Sequence, residues 1–291
     1  MGYIIRTMAL FLVLTLIFMA IGAVIWYMFF DGTRESLLLV MAVFIVFSAL
    51  INMFSFFFSK SIVLRAHKVR IIKREDNPRL YGIVEKVAMQ ARVPMPQVGI
   101  TNNPTPNAFA TGRGPKNAAV VATTGLMSLL NDDELKGVMA HEVAHVKNRD
   151  VLVMSIAATI AGAVSIMARF AFFGALGGNR NGGAALIAFL AWLTIPIAAM
   201  FVQLAISRGR EYKADESGAR ITNDPLSLAS ALDKLENGNR ANPMTTEIPS
   251  DAHMWIANPL GGRTKGGASM FSTHPPIRER IARLNRMAGR L

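Results

Sequence analysis

The chain has 291 residues, 52% hydrophobic and only 17% charged, where soluble proteins carry roughly 25% charged residues. Its 31 basic and 19 acidic residues give a formal net charge of +12, and it contains no cysteine. Disulfides and thiolate metal sites are thereby excluded, and the apolar excess calls for lipid-facing segments in addition to a core.

Residues 8–30 and 36–59 are uncharged runs, each long enough to cross about 30 Å of hydrocarbon as a helix. The polar turn Asp31-Gly32-Thr33-Arg34-Glu35 joins them into a transmembrane hairpin occupying residues 1–59. The first run exceeds a signal-peptide apolar region of about 7–15 residues, and a second span follows it. Residues 60–150 form the first part of a soluble unit. Within it, residues 77–93 show helical periodicity, with Leu80, Ile83, Val84, Val87 and Ala88 on one stripe. Short β-like segments follow at 97–101, 108–111 and 118–123, parted by Asn, Pro and Gly turns. A second apolar region, residues 151–207, reads as another hairpin turning at 174–183, with Arg169 and Pro196 inside it. Residues 208–291 complete the soluble unit with helices at 225–236 and 275–287 and a Gly/Asn/Pro-rich loop at 237–268.

Basic residues crowd beside the spans: Lys60, Arg65, Lys68, Arg70, Lys73 and Arg74 after the second, and Arg208, Arg210 and Lys213 after the fourth. The positive-inside rule then places the large polar parts in the cytoplasm and both hairpin turns outside. Topology accounts for the positive charge, no DNA- or RNA-binding motif accompanies it, and nucleic acid is not expected as a partner.

Chemistry concentrates at His141-Glu142-Val143-Ala144-His145. Asn131-Asp132-Asp133-Glu134 ahead of it is a helix start, with Asn131 as cap and Glu134 three residues on. On that helix His141 and His145 are i and i+4, which projects both imidazoles from one face within reach of one Zn²⁺. Glu142, displaced about 100° around the helix, is placed to take a proton from water and not to bind the metal. At ordinary residue frequencies roughly one chain in a hundred of this length spells HExxH by accident, so its setting matters. Two buried histidines and a glutamate without a metal would carry an uncompensated polar cost. A third protein ligand is required, and Glu211 and Asp215, again i and i+4, supply candidates. One can ligate while the other hydrogen-bonds a ligand histidine from behind.

HEVAH, then an apolar hairpin, then SRGREYKADESGA and STHPPIRERIARL resemble the HtpX-type membrane zinc metalloproteases, relatives of the CAAX prenyl endopeptidases. The resemblance covers nearly the whole chain, including residues 106–127. It implies an α+β membrane protein: a mainly helical gluzincin-type protease domain with a small β-sheet and about four transmembrane helices. It further implies one Zn²⁺ per chain, an active site on the cytoplasmic side of the cell membrane, and endoproteolysis of membrane or misfolded proteins in quality control and stress response. By the same resemblance, His141, His145 and Glu211 match the zinc ligands, Glu142 the general base and Asp215 the carboxylate behind a ligand. His274 and Arg280 match residues facing the substrate oxyanion, where an added donor stabilises developing negative charge. Two other readings compete with this one: a catalytically silent membrane scaffold of the same fold, and a processing protease for lipidated C-termini. Asn107-Ala108-Phe109-Ala110, just upstream of the catalytic helix, reads as an edge strand along which an extended peptide pairs through its main chain.

Overall fold

The computed structural model describes residues 2–29, 33–160, 208–241 and 275–289. Two long helices lead. α1 (Gly2–Phe29) and α2 (Arg34–Ala66) contain the two apolar runs, and only 17% of each candidate span is buried. Outward residues such as Leu12, Leu16, Val43 and Phe54 are more than half exposed, an apolar surface suited to contact with lipid. The helices meet through a small polar seam. Thr15 and Ser48 share a 2.7 Å hydroxyl contact, Asn52 Nδ2 donates to the Phe11 carbonyl at 3.3 Å, and Phe18 packs edge-on against Phe47. Interhelical polar bonds of this kind supply association where lipid offers no hydrophobic drive.

α2 does not stop where its apolar run stops. It continues past residue 59, where the sequence suggests a boundary, to Ala66, and its last turns rest on the soluble part. Lys60 Nζ donates to Asn117 Oδ1 at 2.9 Å, and Val63 packs against Phe109 and Val121 of the sheet.

That sheet has four strands: β1 (Arg70–Ile72), β2 (Gln97–Thr101), β3 (Ala108–Gly114) and β4 (Asn117–Thr123), in the order β1-β2-β4-β3. β1 runs antiparallel to β2, β2 parallel to β4, and β3 antiparallel to β4. Its faces alternate residue by residue. Ala108, Ala110, Val120 and Ala122 join the core with α3 (Pro78–Ala91) and α5 (Asp132–Lys147); Phe109 and Val121 face α2. The β3–β4 turn depends on Gly112, at φ +135°, where a Cβ would lie 2.1 Å from the Asn117 carbonyl oxygen.

A short α4 (Thr124–Leu129) leads into α5, which opens with a complete capping box between Asn131 and Glu134. The same Glu134 also accepts from Ser230 and Lys234 of α8 (Pro225–Ala241), tying the start of α5 to a helix about a hundred residues later in the chain. α6 (Asp150–Ile160) follows α5 directly and packs Leu152, Val153 and Ile156 against Leu10 and Leu14 of α1. The expected second hairpin beyond residue 160, most of the loop at 237–268, and His274 lie outside the described residues.

α7 (Arg208–Thr222) crosses α5, and α9 (Ile277–Ala288) closes over both α7 and α8. The α5–α7 crossing is backbone on backbone: a Cβ on Gly218 would meet the His141 nitrogen at 2.9 Å and its Cα at 3.1 Å. Gly218→Ala should therefore cost about 1–3 kcal/mol, as overpacking does, and lower the thermal unfolding midpoint of the detergent-solubilised protein. Gly82→Ala, whose Cβ meets nothing within 4 Å, should be neutral or slightly stabilising. Equal midpoints for the two variants would show that the crossing is not close-packed.

Candidate metal centre

Three side chains converge beneath that crossing. His141 Nε2 and His145 Nε2 stand 3.2 Å apart, and the Glu211 carboxylate approaches them at 3.8 and 3.4 Å respectively. Donors held about 2.0–2.1 Å from one tetrahedral ion lie about 3.3–3.4 Å from each other, so the spacing suits a single bound ion. The donor set of two imidazole nitrogens and one carboxylate oxygen, all within 4.8 Å of one another and buried, fits a catalytic zinc-type site that keeps a fourth position open.

Behind each imidazole stands a carboxylate. Asp215 Oδ1 is 2.9 Å from His141 Nδ1, and Asp150 Oδ2 is 3.3 Å from His145 Nδ1. A carboxylate so placed accepts an Nδ1 proton, and in the neutral ring this leaves the Nε2 lone pair directed at the shared point. Asp215 is the residue expected in this place. Asp150 is not, because its approach depends on a turn the sequence does not announce. Asn148 ends α5, Arg149 adopts a left-handed conformation (φ +62°), and the chain re-enters a helix with Asp150 pointing back at His145. The signal available in the sequence was only a carboxylate five residues after the second histidine.

Electrostatics favour positive charge at this spot. Burial alone would lower His145, but hydrogen bonds to Asp150 and Glu211 outweigh it and raise the ring to about 10. His141 moves the other way, because burial dominates the help it receives from Asp215. A cation bound between the rings satisfies the same carboxylates that would otherwise hold a proton there.

Glu142 is buried on the neighbouring face of α5. Burial, with the negative charge of Glu211, pushes its carboxyl up to about 7, although His145, Arg280 and the Ala110 N–H pull it back. Arg280 differs from its expected place facing an oxyanion. Its side chain is fully buried, and Nε and Nη2 grip Asp215 at 2.8 and 2.7 Å. Nη1 reaches toward Glu211 Oε2 at 3.8 Å. This bidentate clamp outweighs the burial of Asp215 and holds its carboxyl below the ordinary range. A guanidinium committed to the Asp215 and Glu211 carboxylates is where a desolvated Arg is least costly.

The expected edge strand is present and terminal among the described strands, yet Asn107 and residues 108–111 are fully buried. Thr123 N–H donates to the Asn107 carbonyl, so antiparallel alternation pairs Phe109 and Thr111 with β4 and turns Ala108, Ala110 and Gly112 outward. Their N–H groups are taken: Ala108 by Asn107 Oδ1, Ala110 by Glu142 and Gly112 by Ser155 Oγ.

Carboxylate-backed imidazoles, a third carboxylate and a buried glutamate of raised pKa, joined to apolar spans, are the arrangement of a membrane-bound metalloprotease. Comparison with known proteins gives the family. The model for peptidase family M48 matches residues 74–288, and the chain belongs to that family. It is 46% identical to a protease HtpX homolog of Pyrococcus abyssi over 99% of this chain and 97% of that protein. A protease HtpX homolog of Syntrophobacter fumaroxidans is 50% identical over 83% of this chain and 88% of its own length. Among solved structures, Ste24p of S. mikatae shares the fold at a TM-score of 0.51 and 17% identity. That likeness covers 94% of this chain, which spans 62% of the Ste24p chain.

Asp150→Asn should weaken metal binding about 10–100-fold, the usual effect of removing a carboxylate behind a ligand histidine. Competition with a chromophoric chelator measures it. Unchanged affinity would mean that Asp150 fills space without orienting His145.

Proposed function

We propose that the protein is a multi-pass zinc endopeptidase that cuts membrane or misfolded proteins on the cytoplasmic side of the cell membrane. The observation that carries the proposal is the buried His141–His145–Glu211 triangle with Asp215 and Asp150 behind the rings and Glu142 beside them. In this reading His141, His145 and Glu211 hold one Zn²⁺, which when bound supplies Lewis-acid polarisation of water and of the scissile carbonyl. Glu142 accepts a proton from the attacking water at its carboxylate oxygen and later delivers it to the leaving amine nitrogen. Arg280 positions Asp215 and Glu211, and His274 is assigned to the oxyanion by its place in the HPPIRER motif. The edge-strand role expected of Asn107, Ala108, Phe109 and Ala110 does not carry into this reading, because all four are fully buried and the outward N–H groups of β3 are engaged inside the protein. The basic clusters flanking the apolar runs support cytoplasmic placement.

Glu142→Gln should retain zinc and lose peptide hydrolysis, because an amide cannot accept the proton. Zinc content and cleavage of a casein-type substrate, measured on the same preparation, decide it. Substantial cleavage by the variant would remove Glu142 from the role.

The base works only when ionised. As pH falls through the Glu142 pKa, kcat/KM should fall with it along a limb of one proton. Burial pushes that value up to about 7, and a bound cation shifts it lower. A kcat/KM that rose as pH fell would point to another base.

A further inference from the structure

Arg210 precedes the ligand Glu211 on α7 and is only 7% exposed. Its Nη1 and Nη2 are both buried and have no hydrogen-bond partner among the described residues. A guanidinium is permanently charged, and leaving both of its terminal nitrogens dry and unpaired is costly. The carboxylates nearest to it are already engaged: Asp150 backs His145, and Glu211 faces both ligand histidines and Arg280. Among the described residues, Arg6, another cation, also acts on it.

Helix geometry explains why Arg6 is there. Leu10 and Leu14 point into α6, where they meet Leu152, Val153 and Ile156. Arg6 lies one turn before Leu10 on the same stripe, which directs it toward the start of α6, at Asp150. It also stands at the end of the first span, which runs Ile4–Ala23. Of these two guanidiniums near the start of a candidate span, Arg6 is exposed and Arg210 is buried without an acceptor among the described residues.

We propose that Arg210 and Arg6 form a binding site for a phosphate oxyanion at the membrane surface, beside the metal centre. A phosphate group presents several acceptor oxygens to a planar fork and neutralises a like-charged pair. The source is either an anionic phospholipid headgroup or free phosphate. The site is independent of peptide hydrolysis, and its test uses no substrate, so its failure would leave the peptidase reading intact.

The full-length protein in a phosphate-free maltoside detergent is titrated with phosphatidylglycerol, phosphatidylcholine and inorganic phosphate. Thermal midpoint and lipid retained in native mass spectrometry are the readouts. Phosphatidylglycerol should raise the midpoint, and R210Q and R6Q should each weaken that response about tenfold or more, the usual loss when a hydrogen bond to a charged group is removed. R65Q, which removes an exposed cation at the end of α2, should respond as wild type does. Phosphatidylcholine, whose own cation opposes the two arginines, should act more weakly. A response to inorganic phosphate that needs Arg210 and Arg6, in place of one to lipid, supports the site with free phosphate as its ligand. The proposal is overturned if R210Q and R6Q respond as wild type does, if R65Q loses as much as they do, or if no phosphate compound shifts the midpoint. Should R210Q fail to fold, R6Q on the exposed face of α1 carries the same comparison.

Discussion

The contact between α5 and α7 at Gly218 governs this protein. Two imidazoles on one helix make an incomplete donor set for a metal, and the candidate third donor, Glu211, comes from a helix beginning more than sixty residues later. Only a residue without a side chain lets the backbone of α7 approach the His141 backbone closely enough for Glu211 to reach both Nε2 atoms. Asp215, one turn beyond Glu211, then falls against His141 Nδ1, and Arg280 from α9 locks it there. A single close approach thus sets Glu211 and Asp215 against the imidazoles together.

Charge compensation explains why so many ionisable groups tolerate burial. His141, Glu142, His145, Glu211, Asp215 and Arg280 are all nearly or fully excluded from solvent. Isolated, each would be expensive; clustered, every carboxylate faces an imidazole, a guanidinium or a backbone N–H. The low-dielectric surroundings that make the cluster costly when incomplete also raise the basicity of Glu142. Structure and reactivity share one cause.

Local features of the fold were legible in the sequence, and long-range ones were not. The capping box at Asn131, the buried stripe of α3, and β2, β3 and β4 follow from signals within a few residues, and the structure reproduces them. The HExxH pair is an i, i+4 relation, readable for the same reason. β1 is three residues long and exists because β2 offers it an edge, so it has no pattern of its own. α2 outruns its apolar stretch because Val63 finds the sheet, a tertiary contact. Asp150 needed the left-handed turn at Arg149, and the cover on the β3 edge comes from Glu142 and Ser155, more than thirty residues away. Arg280 is matched by the resemblance to a residue facing the substrate oxyanion; its complete burial against Asp215 is decided by how α9 packs.

Zinc K-edge X-ray absorption spectroscopy of the purified full-length protein tests the central claim most directly. The account predicts stoichiometric zinc bound by nitrogen and oxygen at about 2.0–2.1 Å, with the multiple-scattering signature of two imidazoles and no sulfur. Glu211→Ala should lose one light ligand and most of the bound metal. Zinc with one imidazole or none, or a spectrum that Glu211→Ala leaves unchanged, would contradict the assignment of His141, His145 and Glu211 to one metal.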